Sequence, residues 1–135
     1  MECIFCKIVN GAIPSYKVWE DDKTLAFLTI RPHKDGHILL IPKKHDEYLF
    51  DLDDESFNEL MRKTKPLAKA LKEIYKPKSG KVSLVVMGME VPHVHLHLFP
   101  LDQETDVNTD KAYEATKEQL SENMERIKSA LQAKL

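Results

Sequence analysis

The chain has 135 residues, a formal net charge of −2 and an ordinary share of apolar and charged side chains. That suits one domain around one substantial core, and the near-balanced charge leaves no basic face for nucleic acid. No apolar run approaches a membrane span, and Met1-Glu2-Cys3 lacks the basic-then-apolar pattern of a secretory signal. The expected compartment is the cytoplasm, where Cys3 and Cys6 are thiols or metal ligands and not a disulfide.

Cys3-Ile4-Phe5-Cys6-Lys7-Ile8-Val9 reads as a short apolar turn or helix that stops at the turn signal Asn10-Gly11. Residues 16–20 and 24–30 read as two strands joined through Glu20-Asp21-Asp22. A loop, Arg31-Pro32-His33-Lys34-Asp35-Gly36, leads to His37-Ile38-Leu39-Leu40-Ile41. That run is continuously apolar after its first residue and suits a central strand covered on both faces. Residues 53–76 form a long helix with Asp53 as N-cap and Asp54 and Glu55 in the first turn. Its apolar stripe runs through Phe57, Leu60, Leu67, Leu71 and Ile74, and Pro66 predicts a kink. Residues 82–86 are another strand. After the polar stretch 102–110, Tyr113, Lys117, Leu120, Met124, Ile127 and Leu131 mark a second amphipathic helix, packed on the sheet or on a partner subunit. Strands and helices without regular alternation indicate an α+β class with a largely antiparallel sheet.

Chemistry concentrates in His93-Val94-His95-Leu96-His97-Leu98-Phe99, between Pro92 and Pro100. In a strand, alternate side chains share a face, so three imidazoles line up about 6–7 Å apart while Val94, Leu96 and Leu98 anchor the other face. Hydrogen-bonded core histidines are the plain alternative. Strict alternation of three favours a site, since imidazole attacks, binds metal or moves protons near neutral pH.

This row resembles the signature of the histidine triad (HIT) family. The resemblance continues through Ile4-Phe5, Ile13-Pro14, Glu20-Asp21-Asp22, Leu25-Ala26-Phe27, Gly36-His37 and Ile41-Pro42-Lys43-Lys44-His45, in the family's order. It covers about residues 3–100 and leaves a helical tail at about 110–134. The resemblance implies a HIT-like fold with a five-stranded sheet, one long helix and a C-terminal helix. It also implies a nucleotide hydrolase or nucleotidyl transferase acting at the α-phosphate, on adenosine phosphoramidates or dinucleoside polyphosphates. His95 is then the nucleophile, forming a nucleotidyl-histidine that water cleaves, and His97 donates to a non-bridging phosphate oxygen. Ile4, Phe5, Ile8, Phe27 and Ile30 match the apolar cleft for the base, each with plain core packing as its alternative.

One branch of the family binds structural zinc through an N-terminal Cys-x-x-Cys, the histidine after Pro-Lys-Lys and the first triad histidine. Here these are Cys3, Cys6, His45 and His93, two thiolates and two imidazoles with no open position. Free thiols at the chain's end are the other reading. Two features depart from the family pattern. Thr29 stands where an acidic residue contacts the ribose, and a short connection puts Glu90 where relatives offer a hydroxyl near the leaving group.

Two other functions stay open on the sequence. One is a metal-dependent enzyme ligated by His93, His95 and His97; the other is a nucleotide-binding protein with little turnover. The resemblance also implies a homodimer built through the long helix and a sheet strand. The wide apolar arc of residues 53–76 and the apolar strand 82–86 support it, unless the C-terminal helix covers that surface within one chain.

Overall fold

A computed structural model describes residues 3–132. The end of the expected tail, 133–134, and the opening residues 1–2 lie outside the described residues. Five strands, β1 (Lys17–Glu20), β2 (Thr24–Leu28), β3 (Ile38–Pro42), β4 (Lys81–Val86) and β5 (Leu96–Leu101), form one antiparallel sheet in the order β1-β2-β3-β5-β4. Three α-helices accompany it: α1 (Ile4–Val9), α2 (Asp54–Tyr75) and α3 (Lys117–Leu131). The α+β class with a five-stranded antiparallel sheet, one long helix and a C-terminal helix, as expected from the sequence, is the one observed.

Side-chain alternation along β2, β3 and β5 divides the interior in two. Ala26, Leu28, Ile38, Leu40, Leu96 and Leu98 meet Leu60, Leu67, Ala70 and Leu71 of α2 and Leu120, Ile127 and Leu131 of α3. On the opposite face Leu25, Phe27, Leu39 and Ile41 meet Cys3, Phe5 and Ile8 at the N-terminal helix. The central strand β3 is buried along its whole length because both faces are covered. Each fully buried leucine or isoleucine there contributes about 1.5–3 kcal/mol of transfer free energy. α1 is short and covers only part of its face. The remainder is where the histidines emerge.

Asp53 caps α2 by accepting from the Ser56 N–H at 2.7 Å, a contact of about 1 kcal/mol. The expected kink does not interrupt the helix, which stays α-helical through Pro66. The carbonyl that the proline deprives belongs to Arg62, on the exposed side. α3 starts at Lys117, later than the apolar spacing predicts. Thr116 and Gln119 cap it reciprocally, leaving Tyr113 in the preceding loop and Lys117 exposed in the first turn. α3 packs within its own chain, against α2 and the β1–β2 edge.

The triad segment also differs from a single straight strand. The β3–β5 ladder begins only at Leu96, opposite Leu40. Upstream, the Val94 N–H is donated to the Asp46 carbonyl, and the His93 ring, not the backbone, takes the carbonyl of Pro42. Proline has no N–H to offer a neighbouring strand, so regular pairing ends there. No helix among the described residues is long and apolar enough to cross a membrane.

Candidate active site and metal centre

The register of β5 puts His97 directly opposite Leu39 of β3 and Val85 of β4, so its ring shares the face of the α1 cluster. The rings of His95 and His97 lie 5.1 Å apart, centroid to centroid. Phe5 touches His93 at 6.1 Å and His95 at 5.1 Å, edge to face in both cases. Val94 and Leu96 point into the helix-covered core. The one-faced row expected from the alternation is present, although its first two members precede the ladder.

Hydrogen-bond logic fixes the protons on these rings, because a carbonyl only accepts and a backbone N–H only donates. His93 Nε2–H donates to the Pro42 carbonyl at 2.8 Å, which leaves Nδ1 with its lone pair. His95 Nδ1–H donates to the His93 carbonyl at 2.6 Å, so Nε2 carries the lone pair of the neutral ring. The sequence attaches no role to His37 beyond its place in Gly36-His37 and at the head of the run 37–41. Its Nδ1 accepts from the His33 N–H at 3.0 Å, so its proton is on Nε2. That Nε2–H meets His97 Nδ1 at 3.0 Å, and the proton of His97 is thereby on Nε2. Adjacent imidazoles thus present opposite characters, a lone pair on His95 and a donor on His97.

Electrostatics favour the neutral rings of His37, His97 and His93. Burial first, then the rings of His97 and His33, hold His37 down to about 2. Burial first, then His95 and His33, hold His97 down to about 4. His93 is also lowered by burial, against the opposing pull of its bond to Pro42.

The four expected metal ligands converge. Cys3 Sγ, Cys6 Sγ, His45 Nδ1 and His93 Nδ1 all lie within 4.8 Å of one another. The sulfur–nitrogen separations are 3.6 and 3.5 Å from Cys3, and 3.1 and 3.5 Å from Cys6. A tetrahedral zinc site with two sulfurs and two nitrogens has edges of about 3.3–3.8 Å. The two sulfurs, 2.9 Å apart, need to part by less than 1 Å to match. Burial, then the neighbouring Cys3 thiol, push the Cys6 thiol up to about 11, a penalty that a divalent cation between the sulfurs reverses. The His93 tautomer is the one a ligand at Nδ1 requires. Among the described residues His95 and His97 belong to no such group of ligands.

Of the expected cleft residues, Phe5, Ile8 and Phe27 are buried, whereas Ile4 and Ile30 are 51% and 65% exposed. The buried three belong to one apolar cluster on the histidine face, and Ile4 and Ile30 lie outside it. Thr29 Oγ1 accepts from the Arg31 N–H at 3.2 Å, which leaves its hydroxyl proton available as a donor. Glu90 is exposed on the β4–β5 connection, beside the exposed Met89. His33, His37 and Asp106 carry contacts that the sequence reading did not assign. The available signal was the lone polar residue opening an otherwise apolar strand at His37.

Residues 10–104 match the HIT domain. The chain belongs to the HIT family. This HIT protein is 45% identical over 101 residues to adenosine 5'-monophosphoramidase HNT1 of Saccharomyces cerevisiae, covering 73% of this chain and 61% of that one. It is 40% identical over 107 residues to adenosine 5'-monophosphoramidase hnt1 of Schizosaccharomyces pombe, covering 77% of each. Among solved structures, a Zn-bound histidine triad family protein of Mycobacterium smegmatis superposes with a TM-score of 0.80 at 28% identity. That match covers 98% of this chain and 95% of the other. With these relatives the HIT protein is a hydrolase.

Proposed function

We propose that this HIT hydrolase cleaves nucleotides at the α-phosphate through a nucleotidyl-histidine on His95, with adenosine phosphoramidates or dinucleoside polyphosphates as substrates. The observation that carries the reading is the pair of opposed tautomers. His95 Nε2 attacks phosphorus with its lone pair, and the bond from phosphorus to the leaving group breaks. From a phosphoramidate the amine departs with a proton from solvent. Charge that gathers on the non-bridging oxygen is met by the Nε2–H of His97, a donor oriented before substrate arrives. Water then adds to phosphorus, the imidazole leaves with its electron pair, and the nucleoside monophosphate is released. Through both steps the His95 Nδ1–H stays on the His93 carbonyl, which stabilises the ring as it becomes cationic. The buried cluster of Phe5, Ile8 and Phe27 supports an apolar bed for the base, to which the resemblance adds Ile4 and Ile30. The family resemblance assigns Thr29 to the ribose and Glu90 to the leaving group.

Zinc at Cys3, Cys6, His45 and His93 belongs to the same reading, as a structural ion supported by the converging ligand atoms. It supplies no step of the reaction. A homodimer is supported by β4, an edge strand whose Leu84 and Val86 are 42% and 46% exposed. Beside it runs a groove of about 420 Å³ lined by Met61, Thr64, Ala68 and Val82. A two-fold partner would bury this surface on both chains.

Rapid quenching during turnover of adenosine phosphoramidate, diadenosine polyphosphate and nucleotide sugars, followed by intact-mass and peptide analysis, tests the reading. An adenylyl adduct on His95 is expected, absent from His95→Asn. Turnover without an adduct, or an active His95→Asn protein, would sink it in favour of a metal-bound nucleophile. Binding without turnover across the panel would leave only a nucleotide-binding protein.

A further inference from the structure

The chain beyond β5 folds back on the loop that precedes β3. Asp106, buried in a short 3₁₀ turn (Glu104–Val107), accepts from the N–H groups of Asp102 and Gln103 at 2.9 and 3.1 Å. Its carbonyl accepts from His33 Nδ1–H at 2.8 Å. The same loop is held three more times. Lys34 pairs with Asp102, the Tyr113 N–H reaches the Pro32 carbonyl at 3.0 Å, and the Tyr113 hydroxyl donates to Asp35 at 2.6 Å. The His33 ring lies over Phe99, with centroids 5.1 Å apart and planes 31° apart, and meets His37 edge-on at 5.1 Å.

The clamp meets the hydrogen-bond chain to the triad at the backbone N–H of His33. That N–H points at His37 Nδ1, and a proton there would face another donor, so His37 keeps its proton on Nε2. From His37 the constraint passes to His97 Nδ1. We propose that His33, its ring moored on the Asp106 carbonyl, is a positioning residue for the hydrolysis: its amide keeps the proton of His97 on the phosphate side. The role rests on the phosphoryl-transfer reading above, and it assigns a task to the segment after the triad strand. Side-chain identity at 33 matters because the ring holds the amide in place, although any residue but proline would supply an N–H.

The test uses full-length protein with ¹⁵N-labelled histidine, comparing wild type, His33→Phe and His33→Asn. Phenylalanine keeps the ring over Phe99 but loses the bond to Asp106. Asparagine restores a side-chain N–H close to the position of Nδ1. In wild type near neutral pH the His97 ring should report a protonated Nε2 and an acceptor Nδ1. His33→Phe is expected to move both nitrogens toward averaged values and to lower kcat about tenfold with KM nearly unchanged, and His33→Asn to recover both. Unchanged His97 signals in His33→Phe would overturn the proposal, whether or not kcat falls, since a lower kcat alone is a structural effect. The ring signals answer even if the wild type does not turn over a phosphoramidate, so the two readings fail separately. Should the phenylalanine variant not fold, His33→Ser makes the same comparison.

Discussion

The carbonyl of His93 accepts the Nδ1 proton of His95 at 2.6 Å, while the ring of His93 turns to the thiols of Cys3 and Cys6 at 3.5 Å. One residue therefore belongs to two candidate sites. Its side chain closes the four-ligand cluster and its backbone orients the neighbouring imidazole.

Metal removal follows from that relationship. Protein purified without added metal should contain about one zinc per chain, as one closed four-ligand site requires. Chelation should lower Tm and slow turnover, because the His93 carbonyl loses its anchor, yet turnover should not vanish. Complete and immediate loss on chelation, fully restored by zinc, would instead mark the metal as a participant in the chemistry.

His97 should act on the rate more than on binding. Replacing His97 by Ala removes a single donor to charge that develops in the transition state, which costs about 10²–10³ in kcat where such donors have been deleted. KM should move little. Steady-state kinetics on adenosine phosphoramidate separates the two, and a change confined to KM would contradict the assigned role.

Acid should destabilise the fold through the same rings. An unfolded histidine titrates near 6.5, whereas folded His97 titrates at about 4 and folded His37 at about 2. Below 6.5 the unfolded chain binds protons that the folded chain refuses, so stability is full above that value and declines beneath it. The His97 share is lost between 6.5 and about 4, and the His37 share declines further, toward about 2. Each ring contributes a slope of up to about 1.4 kcal/mol per pH unit inside its window. Denaturant unfolding between about pH 7 and about pH 5 should show a shallower decline in His97→Asn, by about one proton. Equal slopes in the two proteins would count against a buried neutral His97.

Oligomeric state turns on β4. Light scattering should give twice the chain's 15.6 kDa, and Leu84→Lys with Val86→Glu should return a single-chain mass. A wild-type mass of one chain at micromolar concentration would remove the dimer.

Gly36 should resist substitution. Its φ is +87°, and a Cβ there would run into the ring of Tyr75. Gly36→Ala combines left-handed strain of about 1–2 kcal/mol with that collision, immediately before His37. A loss of more than about 2 kcal/mol in unfolding free energy is expected. A neutral effect would mean that the loop and Tyr75 yield easily.

Sequence patterns carried most of this structure where one physical signal dominated. The apolar run read at 37–41 is a strand covered on both faces, shifted by one residue to Ile38–Pro42, and Asp53 caps the helix it was expected to cap. Cys3, Cys6, His45 and His93 meet as the family resemblance implies. Legibility ended where the outcome depended on contacts between distant segments. Tyr113 fits the helical spacing of α3, yet its hydroxyl bond to Asp35 and the cap at Thr116 leave it in a loop. His93 fits the strand period, but a proline neighbour without an N–H ends the ladder below it. Nothing local in the sequence announces that His33 reaches Asp106, 73 positions away.

Those long separations bear on how the protein comes together. Cys3 and Cys6 are near neighbours in the chain, but His45 lies 42 residues from Cys3 and His93 lies 90. An unfolded chain can offer an ion the cysteine pair at little entropic cost, whereas recruiting both imidazoles means closing loops of that length. The full ligand set forms only after β3 and β5 stand side at side, since His45 follows one and His93 precedes the other. Tight capture of the proposed zinc should therefore come late in folding. An ion held there would draw the equilibrium toward the completed sheet, and the rate of metal uptake by refolding protein would then report when the central strands have paired.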